Sequence, residues 1–203
     1  MEGDDTVDDR HAAALLGDSQ YQKIKLRRYS LFKQSIPRTL ALQGLILAAL
    51  ALVAPLALTQ PESTRALLGG DVLAAAPKFL FLGAYATAIE LVGVVGLCYV
   101  AYRRLATDDS LSEREVHDLL ALEDGVTHLS LVTGGVAVAV VDAFFLLGLA
   151  GDPLVGRFQA LAGRNPFEPG LIPVTVIGVA IAAAVLASVA FGLSRLLRAR
   201  LPY

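Results

Sequence analysis

The sequence is poor in the side chains that do chemistry. Its single cysteine, Cys98, cannot close an internal disulfide or build a cysteine-rich metal site, and is expected to pack as a small hydrophobe. The three histidines are His11, His117 and His128. None lies deep in an apolar stretch, which argues against bis-histidine haem ligation inside a helical bundle. Glu113 and His117 stand one helical turn apart, a metal-ligand spacing, but no third ligand is near, so an exposed side-chain pair is the expected reading. There is no Walker loop, dinucleotide fingerprint, Gly-x-Ser-x-Gly elbow or His-Glu-x-x-His pair. No polar segment is long enough to fold as a catalytic domain. Neither an enzyme, a resident metal nor a cofactor is expected.

Charge is scarce too. Only 18% of the 203 residues are charged and 55% are hydrophobic, giving a mean hydropathy of +0.61. A soluble chain of this length is more polar. The apolar residues fall into four blocks, 39–59, 79–102, 126–150 and 171–194, and none contains Lys or Arg. About 20 mostly apolar residues carry a helix across a hydrocarbon core about 30 Å thick. Strands of a membrane barrel would alternate in polarity over about 10 residues, a pattern absent here. The first block exceeds the roughly 7–15 residues of a signal-peptide apolar region and is preceded by a polar stretch, so it is expected to remain in the mature protein. The expected fold class is an all-α integral membrane protein: a four-transmembrane-helix bundle, occupying residues 38–203, with short amphipathic interfacial helices.

What charge exists is unevenly placed. Arg10, Lys23, Lys25, Arg27, Arg28, Lys33 and Arg38 precede the first block, Arg103, Arg104 and Arg114 lie between the second and third, and Arg195, Arg198 and Arg200 follow the fourth. Only Arg65, Lys78, Arg157 and Arg164 fall on the opposite side. By the positive-inside rule both termini are expected in the cytoplasm, with the chain crossing the plasma membrane four times. Residues 1–20 read as an acidic disordered tail. Residues 21–37 interleave aromatic and aliphatic side chains with Lys23, Lys25, Arg27 and Arg28, a composition suited to the headgroups of an anionic inner leaflet. A nucleic-acid partner is the weaker reading, because the first block begins a few residues later. The preference for Arg over Lys and the abundance of Ala, Val and Asp are associated with a GC-rich prokaryotic source.

Two loops carry helical signals. In 107–125, Ser112 and Glu115 fit a capping box, Leu111 and Val116 a hydrophobic staple, and Val116, Leu119, Leu120 and Leu122 an apolar stripe. A short amphipathic helix, lying on the membrane or docking a partner, is expected there. The 151–170 loop is expected to hold a second, broken by Gly and Pro at both ends.

Against this apolar background two acids stand out, Glu90 and Asp142. On a helical wheel Glu90 shares a face with Gly83, Ala86, Thr87, Gly93 and Leu97, while Phe81, Tyr85, Val92, Val95, Tyr99 and Tyr102 lie opposite. Small residues let membrane helices approach, and a carboxylate facing lipid costs several kcal/mol. Glu90 is therefore expected to face the bundle interior. Asp142 shares its stripe with Gly135, Ala139 and Leu146, with His128 at one end, and is expected inside as well. Their estimated depths agree to within about one turn, which makes a structural or proton- or cation-exchanging pair conceivable. No basic residue occupies a block to balance them, so at least one is expected to carry a proton. Gln43, Thr87 and His128 are candidate auxiliary polar groups. Pro55 is expected to kink the first helix by removing a backbone donor. Ala180, Ala184, Ser188 and Gly192 form a ridge of small residues suited to helix contact, within the bundle or between subunits. Two functional classes remain: a non-enzymatic accessory or assembly subunit of a larger membrane complex, or a small homo-oligomeric proton- or cation-coupled transporter or channel.

Overall fold

In the computed structural model, which describes residues 34–107, 112–163 and 165–200, regular structure is helical apart from one isolated bridge between Pro77 and Pro169. Among the described residues four helical stretches are long and apolar enough to cross a membrane: Ile36–Leu58, Leu80–Ala106, Glu113–Leu149 and Val176–Arg200. These are spans one to four, and the chain is an all-α four-helix membrane bundle. The acidic tail lies outside the described residues, as do Lys23, Lys25, Arg27, Arg28 and Leu111. The end of the bundle carrying the 59–79 and 150–175 connections is called here the loop end, and the opposite end the terminal end.

Span one is two helices, α1 (Ile36–Ala51) and α2 (Val53–Leu58). The break falls where Pro55, having no N–H, leaves the carbonyl four residues back without its helical donor. The Leu52 N–H turns instead to the Ala49 carbonyl, at 3.0 Å. The interruption, at Leu52, falls three residues before Pro55, where the sequence leads one to expect a kink.

Span three starts well before the expected boundary. The segment read as a separate interfacial helix is its first half, α3 (Glu113–His128). It begins at the expected capping box: Ser112 accepts from the Glu115 N–H, and the Glu115 carboxylate accepts from the Ser112 N–H. Nothing then stops it, because Gly125 alone does not end a helix that has no proline behind it. Val116, Leu119 and Leu120 are buried with Leu97, Val100 and Ala101 of span two. The stripe therefore docks onto the bundle, and Leu122, expected in it, is 38% exposed while Glu123 is buried. The helix then passes through a π-helical segment, Leu129–Gly134, into α4 (Gly135–Leu149).

Span four begins at Val176, later than the apolar block: the residues around Pro173 are irregular, with Val174 N–H turned back to Ile172 O at 2.8 Å. The first N–H groups of a helix lack internal partners. Here Val176 N–H donates to Ala75 O and Ile177 N–H to Leu73 O, both at 3.0 Å. The two connections are further joined by Lys78 N–H to Glu168 O at 2.9 Å, Gly170 N–H to Ala76 O at 2.8 Å, and a Lys78–Glu168 ion pair. Gln60 Nε2 and Thr64 Oγ1 donate to the Phe145 and Gly148 carbonyls near the end of α4. Phe79 packs its ring on Phe144, Phe145 and Phe167. The expected second amphipathic helix is α5 (Asp152–Ala162), set between Gly151 and Gly163, both at positive φ.

Burial of apolar side chains does not by itself hold helices together in lipid, since lipid tails are as apolar as leucine. Close packing and internal hydrogen bonds must do so, and the glycines and polar residues between the spans supply them.

Candidate functional site: a sealed polar cluster between spans

Span two obeys its wheel. Ala86 and Leu97 are fully buried, and Gly83 and Gly93 are buried beside them. Phe81, Tyr85, Val92, Val95, Tyr99 and Tyr102 are each about half exposed or more. Glu90, on the small face, has no exposed surface at all.

Two glycines make room for it. A methyl group at Gly134, the last residue of the π-helical segment, would come within 2.5 Å of Glu90 Oε1. One helical turn along span two, a methyl group at Gly93 would lie 2.8 Å from Ser130 Cβ and collide with the Gln43 amide. That amide reaches over Gly93 from span one: Gln43 Nε2 donates to Ser130 Oγ at 2.7 Å, and Ser130 Oγ donates to Thr127 O at 3.3 Å. Gln43, Glu90 and Ser130 are all 0% exposed. Spans one, two and three thus meet through a buried polar cluster, in which Gln43 Oε1 and both Glu90 carboxylate oxygens have no hydrogen-bond partner from the chain.

The π-helical turn belongs to this cluster. It closes with Gly135 N–H bonded to Ser130 O, five residues back. Such turns insert an extra residue into an α-helix and often mark functional positions. Here the turn spans the interval from Ser130, which meets Gln43, to Gly134, which meets Glu90.

Asp142 is elsewhere, contrary to the expectation of a pair. It sits eight residues beyond Gly134, about 12 Å along the helix at about 1.5 Å per residue, so the acids are not level. Neither Glu90 oxygen bonds to it. Its stripe does not face inward: Ala139 and Leu146 are exposed and Gly135 is partly so, whereas the buried face of α4 is Ala137, Val138, Val141, Phe145 and Gly148. Asp142 lies at the margin between these faces, partly exposed, with Oδ1 buried and without a partner. His128 is exposed at the far end of the π-helical turn. Helical-wheel counting slips across that turn, which carries more residues than an α-turn. Thr87 bonds to the Gly83 carbonyl at 2.9 Å and borders an open groove of about 660 Å³ between spans two and four.

The ridge on span four is divided. Ala180 is buried, but Ala184, Ser188 and Gly192 are exposed, and Ser188 Oγ bonds back to Ala184 O at 2.8 Å. Contact inside the bundle runs instead through Ala183, Ala187, Ala190 and Ser194, the last donating to Pro37 O at 2.6 Å. Sequence reasoning missed Ser130 and Gly134. Their signal was a small-xxx-small spacing in span three, the pattern that brings membrane helices close.

No protein family, curated protein or solved structure matches the chain. Its class is therefore set by fold alone: a polytopic, four-span membrane protein.

Proposed function

We propose that this protein is a non-enzymatic accessory or assembly subunit of a larger membrane complex. The observation that carries this reading is the complete burial of Glu90 against Gly134. A carboxylic acid packed into glycine-made space beside a Gln–Ser hydrogen bond is built to fix helix positions. Two exposed patches carry small residues among larger ones: Ala184, Ser188 and Gly192 on span four, and Ala84, Ala88, Gly178 and Ala182 along the groove. Close helix contact uses such surfaces. The decisive experiment is purification from the native host in mild detergent, followed by mass spectrometry. A membrane protein recovered in fixed stoichiometry supports the reading, and a monodisperse single chain overturns it.

The second reading, a small homo-oligomeric proton- or cation-coupled transporter or channel, is favoured by the π-helical turn beside two unpartnered carboxylate oxygens. The variant Glu90→Gln separates the two. A structural Glu90 predicts a variant that assembles normally. A coupling Glu90 predicts a folded variant whose proton-dependent flux in reconstituted vesicles is abolished.

The charge asymmetry supports a plasma-membrane setting with the terminal end in the cytoplasm and Lys23, Lys25, Arg27 and Arg28 against an anionic leaflet. Cysteines introduced at residues 60–78, in a Cys98→Ser background, should react with impermeant reagent on intact cells. The reverse labelling pattern overturns the orientation.

A further inference from the structure

Of the two acids Glu90 and Asp142, Asp142 is the one that the bundle does not enclose. Its position can be fixed against span one, which runs parallel to span three. Gln43 bonds to Ser130, Gln60 to Phe145 and Thr64 to Gly148, in increasing order along both segments. Between these anchors Asp142 is level with α2 (Val53–Leu58), just beyond the break at Pro55. It thus stands toward the loop end, away from the basic residues of the spans, which cluster at the terminal end. Two cations of the loop end are engaged elsewhere: Lys78 pairs with Glu168, and Arg65 donates to the Leu58 and Gln60 carbonyls.

The surface beside Asp142 is shaped for close approach. The exposed Ala139 and Ala143 and the partly exposed Gly135 lie beside it on span three, with the exposed Leu146 one turn further on. A second helix can come near where side chains are this small. An acid at this depth is expensive when it faces lipid alone, and it is stabilised by an opposite charge or a hydrogen-bond donor. A second copy of this chain cannot supply that charge, since its four apolar blocks contain no Lys or Arg. We infer that the Asp142 face of span three docks a transmembrane helix of a different protein, one carrying a lysine or arginine at the matching depth. The inference rests on the assembly-subunit reading and names the chemistry of the partner.

The test uses the full chain in lipid nanodiscs, with a fluorescent label at an introduced C-terminal cysteine in a Cys98→Ser background. The probes are two synthetic Leu/Ala transmembrane peptides carrying an acceptor dye. One has a single lysine about eight residues from an end of its apolar stretch, to match the depth of Asp142, and the other has leucine there. The lysine peptide should associate at least about tenfold more tightly by energy transfer. Asp142→Asn should abolish that preference, Asp142→Glu should retain it, and Glu90→Gln should leave it in place. Equal association of the two peptides overturns the inference, as does a preference that survives Asp142→Asn. Energy transfer between copies of the chain that is lost in Asp142→Asn also overturns it, because the face would then belong to a second copy. A subunit that copurifies from the host while the peptides show no preference sinks this inference alone. A clear lysine preference without any copurifying subunit sinks the assembly reading and leaves the site.

Discussion

Glu90 and Asp142 are two carboxylic acids in one bundle, and the bundle treats them in opposite ways. Glu90 is wholly buried between spans two and three, with glycine beneath it and the Gln43–Ser130 bond one turn away. Asp142 stands at the margin of span three, between a buried face and lipid. Glu90 belongs to the structure of one chain. Asp142 is partly exposed at the bundle surface, and its buried Oδ1 has no partner within the chain. The contrast shows that the surroundings of an intramembrane acid are set by what its neighbours enclose, since hydropathy alone makes the two residues look alike.

The contrast is broken most forcefully at Gly93. The variant Gly93→Val drives a branched side chain into Ser130 and the Gln43 amide. Overpacking and the lost hydrogen bond together should cost about 3 kcal/mol, measured by equilibrium unfolding in mixed micelles. A change below about 1 kcal/mol, smaller than ordinary overpacking, would mean that the spans are not in contact there. Next in size, Gly134→Ala places its methyl group on the Glu90 carboxyl. Because that carboxyl ends a flexible side chain, the expected loss is only about 1–2 kcal/mol, and Glu90→Ala in the same background should recover part of it. Unchanged stability in Gly134→Ala would place Glu90 away from the π-helical turn.

Gln43→Leu tests the hydrogen bond itself. Ser130 keeps its bond to Thr127, so the loss should be about 1 kcal/mol, read from the same unfolding titration. A stabilised Gln43→Leu would show that the unpartnered amide oxygen outweighs the bond. The smallest effect belongs to Asp142→Asn. At the margin of the bundle, with no internal partner, it should change the stability of the isolated chain by no more than about 0.5 kcal/mol. A loss equal to that of Gly93→Val would make Asp142 a second structural anchor and erase the contrast between the acids.

Much of the architecture was legible residue by residue. The small and bulky faces of span two, the break at Pro55 and the capping box at Ser112 followed from local chemistry and are present as read. Span three was the failure. Its first half was read as a separate surface helix because it is polar, yet helical hydrogen bonding continues through Gly125. The inward direction expected of Asp142 rested on the cost of an acid in lipid and on the small residues Gly135 and Ala139 of its stripe. Packing of Phe145 and Gly148 against the loop-end residues turned a different face of α4 inward. On span four, four-residue spacing was legible, but which alanines meet span one was not. Ala183 and Ala187 are buried while Ala184 and Ser188 are not, and both series are equally small.

The sequence by itself determined four helices long and apolar enough to cross a membrane, because each block has about 20 mostly apolar residues without Lys or Arg, and in lipid a helix satisfies its own backbone hydrogen bonds. It also determined the inward face of span two, where small and bulky residues segregate cleanly. Only the tertiary structure decided that Gln43 and Ser130, 87 residues apart, share a bond, that Gly93 and Gly134 open the space around Glu90, and that Asp142 is left at the edge. These outcomes depend on the register and rotation of one helix against another. Helical periodicity repeats identically under a shift of register, so no local pattern selects among the arrangements, and the choice falls to side-chain contacts that exist only once the spans are packed.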